Sequence, residues 1–285
     1  MKTRVISGIV AALIGAVVIT QYYSLFFDIA AFIVYAIAVF EIYRTFKEGN
    51  SKTSAVLLAV VGALIIFNSY IEINLTSIAV AFIVAAVFIV VFDFEKIKFT
   101  SIASSIVFSG YVLFCISNMI RLKRIMPIEN YGYDAVFLVV LCMGIAWGGD
   151  IMAYFSGYLF GKHKMAPKLS PKKTIEGAIG GILGSVVIAL GMTYVYGLTA
   201  LSQNSIVADI GNNWGALAVF AAMGSFVGII GDLFASAVKR QQGIKDYGNI
   251  MPGHGGVLDR FDSFFLVAVI ISLMADFIVL SNGVI

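Results

Sequence analysis

Charge is what this chain has least of. Asp, Glu, Lys and Arg together make up 12% of its 285 residues, against about a quarter in a soluble globular domain. Histidine and cysteine number two each and proline four. So few His and Cys residues leave no zinc-ligand pattern. No nucleophile elbow and no Ser-His-Asp spacing appear, and the GxxxxGK[ST] phosphate loop is missing. Cys115 and Cys142 lie inside apolar runs and read as small packing residues, without a disulfide, metal or redox role. A net charge of +3 gives no reason to expect nucleic acid as a partner; for basic residues lining a membrane face, anionic lipid is the nearest one.

What fills the chain is apolar sequence, 60% of all residues, with a mean hydropathy of +0.98. A span needs about 20 mostly apolar residues. Nine segments qualify within a few residues: 5–22, 24–43, 53–71, 76–92, 100–119, 135–160, 176–199, 214–238 and 261–280. The expected fold is an all-α polytopic membrane protein. The first segment follows Lys2 and Arg4 as a signal peptide would, but "QYYSLFFD" offers no small-residue cleavage site, so a retained first helix is expected. With the N-terminus cytoplasmic, all but Arg121, Lys123 and Arg124 of the 19 Lys and Arg residues fall on the inner side. That is a strong positive-inside bias, and an odd number of spans puts the C-terminus outside. The expected location is the cell (inner) membrane, multi-pass, with the polar loops facing the cytoplasm.

The two halves differ. Residues 1–134 read as about five greasy scaffold spans, in which Asp28, Glu41 and Asp93 lie near expected helix ends and read as interfacial or snorkelling groups. Asp276, about one turn from the outer end of the last span, reads the same way. Residues 135–285 read as the catalytic region, with about four spans and inner loops at 161–175 and 239–260. In "AWGGDIMAYFSGYLFGK", Trp147, Asp150, Tyr154, Gly157 and Gly161 share one helix face. Asp150 precedes Lys162 by about 18 Å of helix, near mid-membrane, where an ionisable group is costly and faces a partner or a wet cavity; a structural hydrogen bond is the competing reading. The loop "KHKMAPKLSPKKTIEG" combines two helix-breaking prolines with five lysines, which serve either as topology signal or as an anion site. Thr174 is placed to cap the following helix, whose Gly177, Gly180, Gly181 and Gly184 let a neighbour approach closely. In the next span Ser225, Gly228, Asp232, Ser236 and Lys239 form one polar stripe, with Asp232 about 10 Å inside the inner surface.

The densest polar string is "MPGHGGVLDRFD", residues 251–262, immediately before the last span. Asp259 and Asp262 are three residues apart and point the same way. First-turn acids suit a helix dipole, but that alone does not account for "GHGG" before them or for Asp232 on the neighbouring helix. Three carboxylates near a lipid–water boundary make a hard-cation site, and magnesium takes one or two carboxylates plus substrate phosphates. Gly253, Gly255 and Gly256 allow backbone N–H groups to approach phosphate, and Lys239, Arg240, Lys245 and Arg260 add positive charge. Metal-assisted transfer at a phosphorus atom of a membrane-embedded substrate is the chemistry this combination suggests.

The longer string "SAVKRQQGIKDYGNIMPGHGGVLDRFD", residues 236–262, closely resembles the signature of the phosphatidate cytidylyltransferases (CDP-diacylglycerol synthases): Ser, Lys-Arg, Lys-Asp, Pro-x-His-Gly-Gly and Asp-Arg-x-Asp, all filled here. Met251, where another aliphatic residue is common, is the one mild departure. Residues 147–177 resemble the family's other characteristic block, whereas the first five spans show only the expected hydropathy. The resemblance implies the reaction CTP + phosphatidic acid → CDP-diacylglycerol + pyrophosphate, a requirement for Mg2+ with a second cation (K+ or another Mg2+) at the same carboxylates, and a homodimer among membrane lipids. It implies Asp232 and Asp259 as metal ligands with Asp262 third. Lys172, Lys173, Lys239, Arg240, Lys245 and Arg260 become phosphate-binding residues, with Ser170, Ser236, Gly255 and Gly256 also in the substrate site. Asp246 would hold a lysine or the cytidine ribose, and His254 would contact phosphate or shuttle a proton. Rival readings are a CTP-dependent lipid kinase, a cytidylyltransferase for another lipid phosphate, and, outside enzymes, a cation-coupled transporter.

Overall fold

A computed structural model describes residues 2–202, 205–209, 214–250 and 255–281. It is helical nearly throughout: α1 (Lys2–Thr20), α2 (Leu25–Thr45), α3 (Lys52–Ile66), α4 (Asn68–Ile71), α5 (Leu75–Phe92), α6 (Phe99–Ile125), α7 (Ile128–Tyr131), α8 (Asp134–Met143), α9 (Gly149–Phe160), α10 (Ile175–Gly197), α11 (Ile206–Asp209), α12 (Trp214–Gln241) and α13 (Leu258–Ser281). Among the described residues, seven helical segments are long and apolar enough to cross a membrane, and Ser7–Thr20 and Lys52–Ile66 are shorter apolar helices. These match the nine expected segments one for one, so the all-α polytopic membrane fold stands.

Two local departures have physical causes. The expected single helix over 135–160 is interrupted by a π turn at Gly144–Gly148 between α8 and α9. There the Ser185 hydroxyl donates to the Ile145 carbonyl at 3.1 Å, and a side chain entering the helical ladder is one of the few things that deforms it. The inner loop expected over 161–175 contains an antiparallel hairpin, β1 (Lys164–Ala166) and β2 (Ser170–Thr174), with Lys164 opposite Thr174 and Ala166 opposite Ser170. Pro167 sits in its turn, and Pro171 is tolerated because a two-stranded ribbon has an unpaired edge on each strand.

The chain forms two compact units, Met1–Ser117 with Gln241–Arg260, and Asn118–Arg240 with Phe261–Ile285. The polar segment after α12 belongs to the first unit. In that unit α2 and α3 pack tightly: a Cβ at Gly62 would overlap the Tyr35 ring, and the Tyr35 hydroxyl donates to the Leu58 carbonyl at 3.2 Å. Asp28 and Glu41, read from sequence as interfacial, are both buried. Asp28 accepts from the Tyr70 hydroxyl at 2.8 Å.

In the second unit α9 packs on α10 through the glycines expected there. A Cβ on Gly181 would come within 2.9 Å of Ala153 Cβ, and one on Gly184 within 2.5 Å of Met152 Cβ. Thr174 caps α10, its hydroxyl accepting from the Gly177 N–H at 3.1 Å. On α12 the groove facing α13 is made by Gly224, Gly228 and Gly231; a Cβ on Gly231 would lie 2.6 Å from the Asp262 carbonyl. Asp276 is not simply interfacial: it receives a two-pronged contact from the Arg121 guanidinium at 2.8 and 2.9 Å.

Candidate active site

The close packing of α12 on α13 determines where the carboxylates meet. With glycine at 228 and 231 the two helices approach closely enough that Asp232, one residue past Gly231, comes within electrostatic reach of Asp262. The π turn ends just before Asp150, whose carboxylate accepts from the Ser263 hydroxyl at 3.2 Å and feels both Asp232 and Lys173. Three carboxylates from three helices thus come into one neighbourhood within electrostatic reach: Asp150 on α9, Asp232 on α12 and Asp262 on α13. Trp147 and Phe261, close in sequence to Asp150 and Asp262, have ring centroids 6.0 Å apart.

The positive charge comes from the hairpin. Lys173, on β2, forms an ion pair with Asp232, and Lys239 follows two turns farther along α12. Arg240 donates from Nε to the Leu169 carbonyl at 3.5 Å, joining the end of α12 to the hairpin turn. The hairpin's base is held by Glu176, which accepts from the backbone N–H groups of Lys162 (3.1 Å) and His163 (3.2 Å) and from His163 Nδ1 (2.6 Å). A strand lysine is presented to the carboxylates on a short, tied ribbon, so its position is set by backbone pairing and not by a flexible loop.

The other expected residues fall into separate groups. Ser170 is half-buried on β2 and Lys172 is exposed beside Lys173; Ser236 is half-buried on α12. Lys245, Asp246, Asp259, Arg260, Gly255 and Gly256 belong to the first unit. There Lys245, Asp246 and Arg260 are exposed, and Asp259 turns its Oδ2 back on its own loop, accepting from the N–H groups of Tyr247 (2.8 Å) and Gly256 (3.0 Å). Gly255 has φ +88°, a left-handed conformation that glycine adopts without penalty. Gly253 and His254 lie outside the described residues.

Sequence reading did not anticipate Ser263 as the partner of Asp150, although its position one residue after the Asp-Arg-x-Asp string was the available signal. Nor did it anticipate Glu41, whose carboxylate reaches the backbone of Val257 and Leu258 across more than 200 residues. Nothing local to Glu41 announces that contact.

Among the described residues no three His, Cys, Asp or Glu side chains form a ready-made metal cage. The donor chemistry nevertheless suits a hard cation: all the acidic groups present oxygen, and magnesium completes its shell with water and substrate phosphate. The Lys173 ammonium already lies against Asp232, so this carboxylate meets positive charge in the structure.

Fold and site together define an integral-membrane protein with a carboxylate–lysine centre set within its helices and served by a basic hairpin. The sequence matches the Cytidylyltransferase family over residues 2–278, and the chain belongs to that family. It is 37% identical over 159 residues to the phosphatidate cytidylyltransferase of Haemophilus influenzae, covering 55% of this chain and 51% of that one. It is 39% identical over 141 residues to the enzyme of that name from Staphylococcus aureus strain COL, half of each chain. With the one from Bacillus subtilis it shares 38% over 157 residues, 55% of this chain and 52% of the other. The chain thus spans about half the length of the curated relatives it matches.

Proposed function

We propose that this protein transfers the cytidylyl group of CTP to phosphatidic acid, forming CDP-diacylglycerol and pyrophosphate. Family membership and the names of its relatives support the reading. The observation that carries it is the Lys173–Asp232 ion pair, which brings the basic hairpin and an intramembrane carboxylate to one point. A site for two anionic substrates needs both signs of charge: cations to gather the phosphates, and carboxylates to hold a counter-cation.

An ionised oxygen of the lipid phosphate attacks the α-phosphorus of CTP. A new P–O–P bond forms as the bond from that phosphorus to its bridging oxygen breaks, and pyrophosphate leaves with the electron pair. The lipid phosphate is already ionised, so no strong general base is required; the work is alignment and charge stabilisation. Lys173 and Lys172 on the hairpin, with Lys239 and Arg240 at the end of α12, bind the triphosphate or the lipid phosphate. Lys245 and Arg260 act on the same anions, His254 contacts phosphate or shuttles a proton, and Asp246 holds a lysine or the ribose. Asp232 and Asp262, with Asp259 on the ground of its place in the Asp-Arg-x-Asp string, are the residues that would hold Mg2+, and a second cation (K+ or another Mg2+) would draw on the same oxygens. When bound, the metal supplies neutralisation of the phosphates and polarisation of the phosphorus under attack. The site faces the cytoplasm of the cell membrane, as the positive-inside bias suggests, and the protein works as a homodimer, as the resemblance implies.

Incubation of the purified protein with radiolabelled CTP and phosphatidic acid in detergent tests the reading. Lipid-linked cytidine with release of pyrophosphate is the expected result. Lipid phosphorylation with release of CDP would make it a kinase, and no product in the presence of Mg2+ would overturn nucleotidyl transfer altogether.

A further inference from the structure

Glu41 of α2 is buried, 1% exposed, and no part of the proposed chemistry uses it. A buried carboxylate costs several kcal/mol unless donors surround it, and here the donors are specific. Glu41 Oε1 accepts from the N–H of Val257 and Oε2 from the N–H of Leu258, each at 2.9 Å. These are N–H groups at the start of α13, which have no partner within the helix, and a negative charge there also suits the helix dipole. The next N–H toward the N-terminus, that of Gly256, goes to Asp259 Oδ2 at 3.0 Å, and the same oxygen takes the Tyr247 N–H at 2.8 Å. Two carboxylates therefore hold the three consecutive N–H groups of residues 256–258, and one of them also holds that of Tyr247. Tyr247 is further fixed by its ring, 5.7 Å from that of Phe108.

Space around Glu41 is as specific as the hydrogen bonds. A Cβ on Gly248 would lie 2.5 Å from Glu41 Oε1, and one on Gly256 would overlap the same carboxylate. Gly256 is thus explained by room for Glu41, and its N–H, together with those of Val257 and Leu258, is committed to side-chain carboxylates. The turn is thereby a mount whose orientation is referred to α2.

We propose that Glu41 is a positioning residue for the reaction, holding the first turn of α13 so that Asp259 and Arg260 are presented in working geometry. The inference rests on the cytidylyltransferase reading of this protein. A local cap would stabilise the helix equally well, because any Ser, Thr, Asp or Asn just ahead of it satisfies the same N–H groups. A carboxylate 216 residues away does more than that: it ties the turn to a different helix, and a misplacement on the order of 1 Å at such a turn is enough to cost turnover.

The test compares Glu41→Gln, Glu41→Ala and Gly256→Ala with Asp28→Asn, which alters another buried acid of α2 that is bonded to Tyr70 and not to the turn. For each, kcat and KM for CTP, the thermal midpoint in detergent, and hydrogen exchange at residues 255–260 are measured. Glu41→Gln keeps one acceptor and should lower kcat about 10- to 100-fold, as is typical when a group orienting a functional residue is lost, with KM for CTP little changed. Glu41→Ala should lose more, and Gly256→Ala, which pushes the carboxylate away, should show the same split of kcat against KM. Exchange at 255–260 should quicken in all three. The double variant Glu41→Gln/Gly256→Ala should be little worse than either single change, because both break one contact. Asp28→Asn should lower the midpoint and leave kcat alone. If the Glu41 variants lose thermal stability as Asp28→Asn does while keeping wild-type kcat per folded molecule, Glu41 is structural and the proposal is overturned. Should the Glu41 variants not accumulate, Gly248→Ala, which crowds the same carboxylate, carries the same comparison: normal kcat with normal exchange overturns the proposal. A wild-type protein that makes no CDP-lipid sinks the functional reading instead, and the exchange data then still decide whether Glu41 holds the turn.

Discussion

Two groups of acids within the second unit show how the same functional group is put to opposite uses. Asp134, at the start of α8, is wholly buried. Its carboxylate accepts from the Tyr196 hydroxyl at 3.0 Å, from the Ser205 hydroxyl, and from the N–H groups of Ile206 and Val207 at 2.9 and 3.2 Å. Four neutral donors drawn from α10 and from the start of α11 saturate it, so it is a joint between segments. Asp150, Asp232 and Asp262 are exposed or half-buried, lie close to one another, and are faced by a lysine. Like charges gathered without a full set of donors are a poor way to stabilise a fold and a good way to hold a cation. A saturated carboxylate predicts a stability phenotype; an unsaturated cluster predicts a chemical one.

The largest effect that would sharpen this contrast is in the cluster. Asp232→Asn keeps the volume and removes the charge, and should lower CDP-lipid formation by orders of magnitude. Asp262→Asn should do the same, with the double change costing little more, because residues that act as a unit are non-additive. Turnover measured against Mg2+ concentration is the readout; near-normal turnover in Asp232→Asn would remove the cluster from the chemistry. Next in size, the hairpin should be divided by its own geometry. Lys173→Gln, which strips the partner from Asp232, should cost at least about tenfold in kcat/KM, about 1.4 kcal/mol. Lys172→Gln, at an exposed neighbour, should cost less, and the remote pair Lys47→Gln/Lys52→Gln least. Equal losses at 172 and 173 would mean that the hairpin contributes charge without position.

Smaller and of a different kind is the effect expected at the joint. Asp134→Asn retains some acceptors and loses the charge that four donors serve, so it should lower stability by about 1–3 kcal/mol while kcat per folded molecule stays at the wild-type value. A thermal melt in detergent beside the transfer assay separates the two; a loss of kcat without a loss of stability would erase the contrast drawn here. The smallest effect is expected from Asp276→Asn. Asp276 and Arg121 form an ion pair with side chains 30% and 49% exposed, and a pair so open contributes about 1 kcal/mol or less. Activity should be unchanged and the midpoint should fall slightly, and Arg121→Gln should give the same small shift.

The path from sequence to site was legible where the physics is local. Whether a stretch spans the bilayer depends on the length of its apolar run, and α2, α5, α6, the α8–α9 segment, α10, α12 and α13 fall where hydropathy puts them. The Thr174 cap depends on atoms three residues apart, and the closeness of α9 to α10 on glycines that simply have no side chain to interfere. The hairpin was not legible, because five residues around two prolines carry too little periodicity to distinguish a strand from an irregular loop.

By itself, then, the sequence determined that this is a chain of membrane-spanning helices with a polar second half, since burial in lipid is a property of each segment alone. Only the tertiary structure decided which charges answer one another: that Lys173 faces Asp232, that Asp276 meets Arg121 across 155 residues, and that Glu41 supports the start of α13. In an apolar setting a charged side chain is compelled to find a partner, but spacing along the chain says nothing about which one. That is settled by how closely glycine-lined helices can approach, and by the hydrogen bonds that remain to be filled once they have.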